Sequence, residues 1–296
     1  MTLRPGSQGA IHFLSHSERA GFTNLGDWEA LEKCYPICLA AIAKKKETAL
    51  RKSAFNLVQL DVRLRGSGFR DAVLARDPPH LFQADLSDIV RWKLNRGKMR
   101  PLQKVCDGNG DVNVRAVTVK ALSLAAKGAQ SCTLAGAGAG PGKGYFMTAL
   151  SELAKLRGVG PATASLVLSL LFPQVPFMAD EVLDCVCGSR EYSAREAEVL
   201  LTSLTAVAAC IGSGWTAERV GSALWVCATA VAHGLSLPAS VATIIENEGG
   251  GAIGTGGKGA SNSSSRSAAS EKRSGGEGEG KGEEEDEGKT KKRRRA

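Results

Sequence analysis

A short glycine turn, Gly158-Val159-Gly160-Pro161, separates two helix-like stretches and has the residue types of an anion-binding site. Glycine accepts a positive φ and lets another backbone approach closely, and Val159 can anchor the turn in the core. Pro161 suits the first position of a helix, where its missing N–H costs nothing. The free amides and the positive end of that helix would hold a DNA phosphate without reading a base sequence. The alternative is an ordinary helical hairpin whose glycines serve geometry alone.

A second candidate binding element is the segment WKLNRGKMRP, in which Arg96, Lys98 and Arg100 cluster where a helix should end. This density of basic side chains predicts contacts with phosphates. Basic residues at such a position also stabilise the helix dipole, and this simpler role stays open. Trp92 in the same segment is expected in the core, with a wedge between bases as the less favoured role.

The chain is basic, with a formal net charge of +8, and part of this charge lies in a C-terminal tail. Residues 249–296 are mainly Gly, Ser and charged residues with almost nothing to bury, so we expect them to be disordered. A basic run from Lys289 to Arg295 is typical of a nuclear localisation signal. We therefore expect a nuclear protein that binds the import machinery, against the alternative of a solvated block of charge.

The hairpin resembles the helix-hairpin-helix signature of DNA repair proteins over a longer stretch, LRGVGPATASLVLSLL. With WKLNRGKMRP before it and VPFMADE after it, the chain is similar to the helix-hairpin-helix DNA glycosylase superfamily. Within that superfamily it resembles the eukaryotic group that includes the insect nuclear protein Amun. The resemblance covers about residues 85–235. It implies DNA contacts from one set of hairpin residues: Gly158, Val159, Gly160, Ala162 and Thr163.

The resemblance also implies a catalytic residue. In these glycosylases a carboxylate that follows the hairpin stabilises the positive charge on the sugar as the base leaves, and Asp180 occupies that place. Bifunctional members carry a catalytic lysine where this chain has Ala162. The implied chemistry is therefore hydrolysis of a base N-glycosidic bond, without lyase activity. The family's Asp-Thr-His run reads Asp180-Glu181-Val182 here, and a plain helix N-cap is the alternative role of Asp180.

Three functions remain open at the level of sequence. The first is a nuclear, monofunctional DNA glycosylase of the base excision repair type. The second is a DNA-binding module of the same fold, associated with chromatin or transcription, that has lost catalysis. The altered residues after Asp180 and the charged tail favour this second function. The third is a helical scaffold that binds protein only.

Helices must position these residues, because aromatics make up only 5% of the chain and no alternating strand pattern has useful length. We predict an all-α, two-lobed, DNA glycosylase-like domain over 21–248, with the helix-hairpin-helix at 145–171, between an N-terminal extension (1–20) and the tail. The glycine-rich stretch 128–144 is predicted to be a loop. Apolar spacing predicts helices over 28–46, 48–64, 86–96, 114–126, 145–156, 161–171, 181–187, 194–210 and 216–233.

Cofactors, metals and membranes are not expected. The eight cysteines show neither paired CxxC motifs nor the four-cysteine spacing of an iron–sulfur cluster, so we expect reduced, mostly buried thiols. No run of about 18 apolar residues is present, which argues against a membrane span. We expect the protein to be a monomer whose principal partner is the phosphate backbone of DNA.

Overall fold

Apolar residues at helical spacing form helices throughout the described part of the chain, which the computed structural model gives as residues 25–50, 57–135, 142–212 and 214–235. These ranges contain no strand, so the all-α prediction is confirmed for them, while the division into two lobes remains a prediction. In chain order the helices are α1 (Leu25–Lys33), α2 (Tyr35–Leu50), α3 (Leu57–Arg65), α4 (Ser67–Leu74), α5 (Gln83–Arg96), α6 (Gln103–Asp107), α7 (Asp111–Ala135), α8 (Gly142–Leu153), α9 (Pro161–Leu171), α10 (Asp180–Val186), α11 (Ala194–Ile211) and α12 (Ala217–His233).

The core next to the candidate site is built around two tryptophans, Trp92 on α5 and Trp225 on α12, which are almost fully buried. Asp61 on α3 is also buried and accepts hydrogen bonds from Trp92 Nε1 at 2.8 Å and from the Tyr35 hydroxyl at 2.7 Å. A carboxylate removed from water needs such donors. These two bonds fix α5 against α2 and α3, so Trp92 is a core residue, as predicted.

The predicted helices at 28–46 and 48–64 have different boundaries in the structure. The first one divides at Cys34, because Pro36 lies in the first turn of a new helix, where proline is tolerated. Helix α2 then continues to Leu50, and α3 begins at Leu57. The sequence pattern also does not predict α4 and α6, which are too short to show a clear helical repeat.

The predicted loop at 128–144 is wrong at both ends, because α7 continues to Ala135 and α8 begins at Gly142. Gly128 and Gly142 serve helix packing instead. A Cβ on Gly128 would lie 3.0 Å from the ring of Phe146, and one on Gly142 would lie 2.5 Å from the Gly128 carbonyl oxygen. Glycine therefore allows α7 and α8 to approach closely. Residues 136–141 lie outside the described residues.

Some predictions fall on residues that the structure does not describe. They concern the N-terminal extension (1–20), the tail (249–296) and the import signal from Lys289 to Arg295. Among the residues that are described, no helix combines the length and the apolar character that crossing a membrane requires.

Candidate functional site

The turn between α8 and α9 gives its two glycines different roles. Gly158 has a φ of +75°, and a Cβ added there would lie 2.7 Å from Cys106 Sγ, so this position requires glycine. Val159 is buried, as expected for the residue that anchors the turn. Gly160 has extended backbone and open space where a side chain would begin. Gly158 therefore shapes the turn, whereas Gly160 leaves its outer surface clear.

Asn109, which lies between α6 and α7, holds the start of this turn. Its Oδ1 accepts a hydrogen bond from the Arg157 amide at 3.0 Å, and its Nδ2 donates to the carbonyls of Arg157 and Cys106, both at 2.9 Å. Asn109 is buried. Sequence reasoning missed this residue, because an asparagine between two glycines has the composition of an ordinary surface turn.

Two backbone amides at the N-terminus of α9 are available to a ligand. Gly160 is the N-cap and Pro161 is the first helical residue, and the Gly160 carbonyl accepts from the Thr163 and Ala164 amides, both at 2.9 Å. Within the described part of the chain, the amides of Gly160 and Ala162 have no hydrogen-bond acceptor. Together with the positive end of the helix, these amides favour an anion.

Asp180 is the first residue of α10, and the N-cap of that helix is Ala179. The alternative role of Asp180 as a plain N-cap is therefore wrong. Two side chains hold its carboxylate: Oδ1 accepts a hydrogen bond from the Tyr192 hydroxyl at 2.8 Å, and Oδ2 lies 3.4 Å from Arg190 Nη1. Arg190 also pairs with Asp184, one turn further along α10. These side chains therefore orient the Asp180 carboxylate, which does not cap its own helix.

Tyr192, the hydrogen-bond donor to Asp180, has a φ of +53°, which is rare for a residue other than glycine. Burial and the adjacent Asp180 carboxylate raise the pKa of Tyr192 to about 12. The phenol therefore stays protonated and continues to donate at neutral pH. A left-handed backbone at a bulky residue costs about 1–2 kcal/mol, which the surrounding contacts must offset.

An open cavity of about 150 Å³ lies beside the hairpin and brings most of the predicted site residues together. Gly158 and Val159, although they belong to the turn, do not line this cavity. The predicted site residues that do line it are Arg96, Lys98, Arg100, Gly160, Ala162, Thr163 and Asp180.

Lys93 on α5 is the residue of this cavity that sequence reasoning missed. Its Nζ donates to Thr163 Oγ1 at 2.8 Å, and its side chain lines the cavity together with Asp180. Burial lowers the pKa of Lys93 to about 8, although the Asp180 carboxylate raises it and Arg100 lowers it further. A signal was present in the sequence, because Lys93 follows the buried Ile89 and Val90 by four and three residues and so shares their helix face.

Arg96 was predicted to contact phosphates together with Lys98 and Arg100, and the structure separates it from them by burying it. Only 6% of Arg96 is exposed, and its guanidinium carbon lies 3.9 Å from the ring centroid of Trp225. Arg96 follows the buried Trp92 by one helical turn, so the same α5 face buries both. Lys98 and Arg100 follow the end of α5 and are exposed, and Arg100 Nη2 lies 3.4 Å from the Tyr192 hydroxyl.

Lys46 on α2 binds the C-terminal end of α5. Its Nζ donates to the Leu94 carbonyl at 3.1 Å and to the Gly97 carbonyl, at the end of α5. A lysine at this end satisfies carbonyls that have no partner within the helix. Lys46 therefore supports the segment that carries Lys93 and Arg96.

The described residues form an all-α fold with an open cavity beside a helical hairpin, and the cavity is lined by apolar as well as charged side chains. No group of His, Cys, Asp and Glu side chains within the described ranges could hold a metal ion. In comparisons with known proteins, no family model matches this chain, no curated protein matches it and no solved structure matches it. Function must therefore be inferred from the cavity and the hairpin.

Proposed function

We propose that this protein binds DNA through the α8–α9 hairpin and hydrolyses a base N-glycosidic bond at Asp180, as a monofunctional DNA glycosylase. The observation that carries the proposal is the position of Asp180. Its carboxylate lines an open cavity next to the free amides of Gly160 and Ala162, and it is oriented without capping its own helix. A phosphate on those amides would bring the adjacent nucleotide to the cavity.

The chemistry follows from the charge that develops as a base leaves the sugar. The sugar becomes positively charged at C1′, and an ionised carboxylate beneath it stabilises this charge and orients the attacking water. Tyr192 contacts one Asp180 oxygen and Arg190 the other, so the carboxylate needs little reorganisation. The base must leave the stack to reach the cavity.

Lys93 supplies the second half of this mechanism. The leaving base gains negative charge, and a proton donor beside it lowers the barrier. Lys93 has a pKa of about 8 and lines the same cavity as Asp180, so it is protonated at neutral pH and can donate. Position 162 of the hairpin holds alanine, so we propose direct hydrolysis and not an imine intermediate.

A panel of duplexes that each carry one damaged or mismatched base tests the proposal. Asp180→Asn should reduce base release by at least about a hundredfold while DNA binding is retained. Asp184→Asn is the matched control, because Asp184 lies on the same helix and pairs with the same arginine without lining the cavity. Equal activity of Asp180→Asn and the unmodified protein would remove Asp180 from the mechanism.

A DNA-binding module without catalysis is the second candidate, and one observation favours it. Arg190 lies between Asp180 and Asp184, and a neighbouring cation weakens the stabilisation that Asp180 can give to a positive sugar. In this case the duplex panel should show salt-dependent binding, with no base released from any substrate. The absence of DNA binding at low salt would contradict both candidates and favour a protein-binding scaffold.

A further inference from the structure

Arg96 lies at the inner wall of the cavity, surrounded by aromatic rings. Its guanidinium carbon is 3.9 Å from the centroid of Trp225, 5.0 Å from that of Trp92 and 5.5 Å from that of Phe177. Tyr35 is the fourth ring, at 6.0 Å. Aromatic faces attract a cation, and a guanidinium can stack on them with its N–H groups parallel to the ring. The rings therefore hold the guanidinium in place but offer it no hydrogen-bond acceptor.

The guanidinium makes no direct polar contact with the described residues, although the Asp61 and Glu181 carboxylates lie close enough to stabilise its charge. No hydrogen bond or ion pair joins Arg96 to them, and its buried Nε is unsatisfied. The neighbouring Arg65 shows the usual arrangement: it also lies over Tyr35, at 4.5 Å, but pairs with Glu218 at 3.0 Å. Burial lowers the pKa of Arg96, which reflects the cost of a charge without hydration. A buried donor set of this kind gains most when a ligand supplies acceptors.

The cavity in front of Arg96 suits a flat ring. Arg96, Trp225 and Phe177 form one part of its lining, and Lys93 and Asp180 belong to the same cavity. The cavity has a volume of about 150 Å³ and is open on one side, so a flat base can enter it while its sugar stays at the mouth. A base inserted here would place one edge against the guanidinium and its sugar toward Asp180.

We propose that Arg96 determines the specificity of the cavity by reading a base with two adjacent acceptors, and that this base is a 6-oxopurine such as hypoxanthine. The inference rests on the proposed function and names its substrate class. A guanidinium fork matches the O6 and N7 acceptors of a 6-oxopurine. Adenine carries an amino group in place of O6, which turns a donor toward the guanidinium. Adenine thus leaves a buried charge without a partner, and such sites reject the wrong ligand strongly.

The test compares two single-stranded oligonucleotides that differ only in a central hypoxanthine or adenine, so that base pairing does not contribute. A third oligonucleotide with a tetrahydrofuran abasic analogue reports binding of the backbone alone. We expect the unmodified protein to bind the hypoxanthine strand at least about tenfold more tightly than the adenine strand. Arg96→Met should remove this preference, and Arg96→Lys, which keeps the charge but not the fork, should restore little of it.

The outcomes separate the two proposals. Backbone binding without discrimination between hypoxanthine and adenine would overturn the role of Arg96 and leave the proposed function intact. Failure to bind any of the three strands would overturn this inference, and failure to bind the duplex panel as well would overturn the proposed function. The comparison in the unmodified protein needs no variant, so it holds even where Arg96→Met does not fold.

Discussion

The amino group of Lys93 lies 2.8 Å from the hydroxyl oxygen of Thr163, and this bond joins α5 to the second helix of the hairpin. Through it, a lysine that precedes Thr163 by 70 residues enters the cavity that Asp180 lines. Position 162 of the hairpin is alanine, so the cations of the cavity come from α5 and the segment after it. The contact also makes the cavity sensitive to the protonation of Lys93.

Replacement of Lys93 by Met should stabilise the fold at neutral pH. The folded-state pKa of Lys93 is about 8, below the usual 10.5, so the unfolded chain binds more protons between these values. The charged lysine therefore destabilises the folded state below pH 8, and this cost disappears as the pH rises toward 10.5. We expect Lys93→Met to raise the free energy of unfolding by about 1–2 kcal/mol at pH 7. Urea unfolding at several pH values measures this difference.

The exposed Lys155→Met provides the control for that experiment, because Lys155 lies outside the cavity and only pairs with Glu152 on the surface. Its effect should stay within about 0.5 kcal/mol at every pH. A Lys93→Met variant that is less stable than the unmodified protein at pH 7 would contradict the burial argument.

Base release should decline as the pH rises through about 8, because the proposed proton donor Lys93 then loses its proton. Lys93→Arg keeps a cation at high pH, so any activity that it retains should not show this decline. Single-turnover rates between pH 6 and about 10 measure both profiles. A rate in the unmodified protein that increases steadily over this range would assign the donor to another group.

The two glycines of the turn should respond in opposite ways to substitution. Gly158→Ala should destabilise the protein by at least about 1–2 kcal/mol, because φ is +75° and the new Cβ would meet Cys106 Sγ. Gly160→Asp should stabilise α9, because the position is an extended N-cap with open space and a carboxylate there can accept amides of the first turn. The same carboxylate occupies and repels the phosphate position. Thermal unfolding and DNA titration should therefore change in opposite directions for Gly160→Asp.

Gly160→Asn serves as the neutral counterpart, since asparagine caps equally well without the negative charge. It should lose less DNA affinity than Gly160→Asp, and the difference in affinity between the two variants should decrease at high salt. Full DNA affinity in Gly160→Asp would show that the phosphate does not bind at the N-terminus of α9.

Reductive trapping with borohydride on a duplex that carries an abasic site tests the absence of lyase chemistry. We expect no covalent adduct, because Ala162 cannot form an imine and the proposed role of Lys93 is to donate a proton to the leaving base. Mass spectrometry of the digested protein measures adducts at each lysine. An adduct on Lys93, absent in Lys93→Met but present in Lys98→Met, would contradict direct hydrolysis.

The sequence by itself determined the helical class and the local geometry of the turn. Gly160 and Pro161 specify the start of α9 through backbone preferences that act within a few residues, and the structure places both as predicted. Apolar spacing likewise indicated Trp92 as a core residue. The same reasoning failed at 128–144, because glycines that allow two helices to approach look identical in sequence to glycines of a loop.

Tertiary structure alone decided which residues share the cavity. Lys93 lies far from Asp180 and Tyr192 in sequence, and their partnership arises from the packing of separate helices and loops. Arg96 shows the same limit most clearly. Its charge predicted a contact with phosphates, but its position one turn after Trp92 placed it among aromatic rings of four separate segments. Backbone preferences act between neighbours, whereas burial depends on which other surfaces a helix face meets.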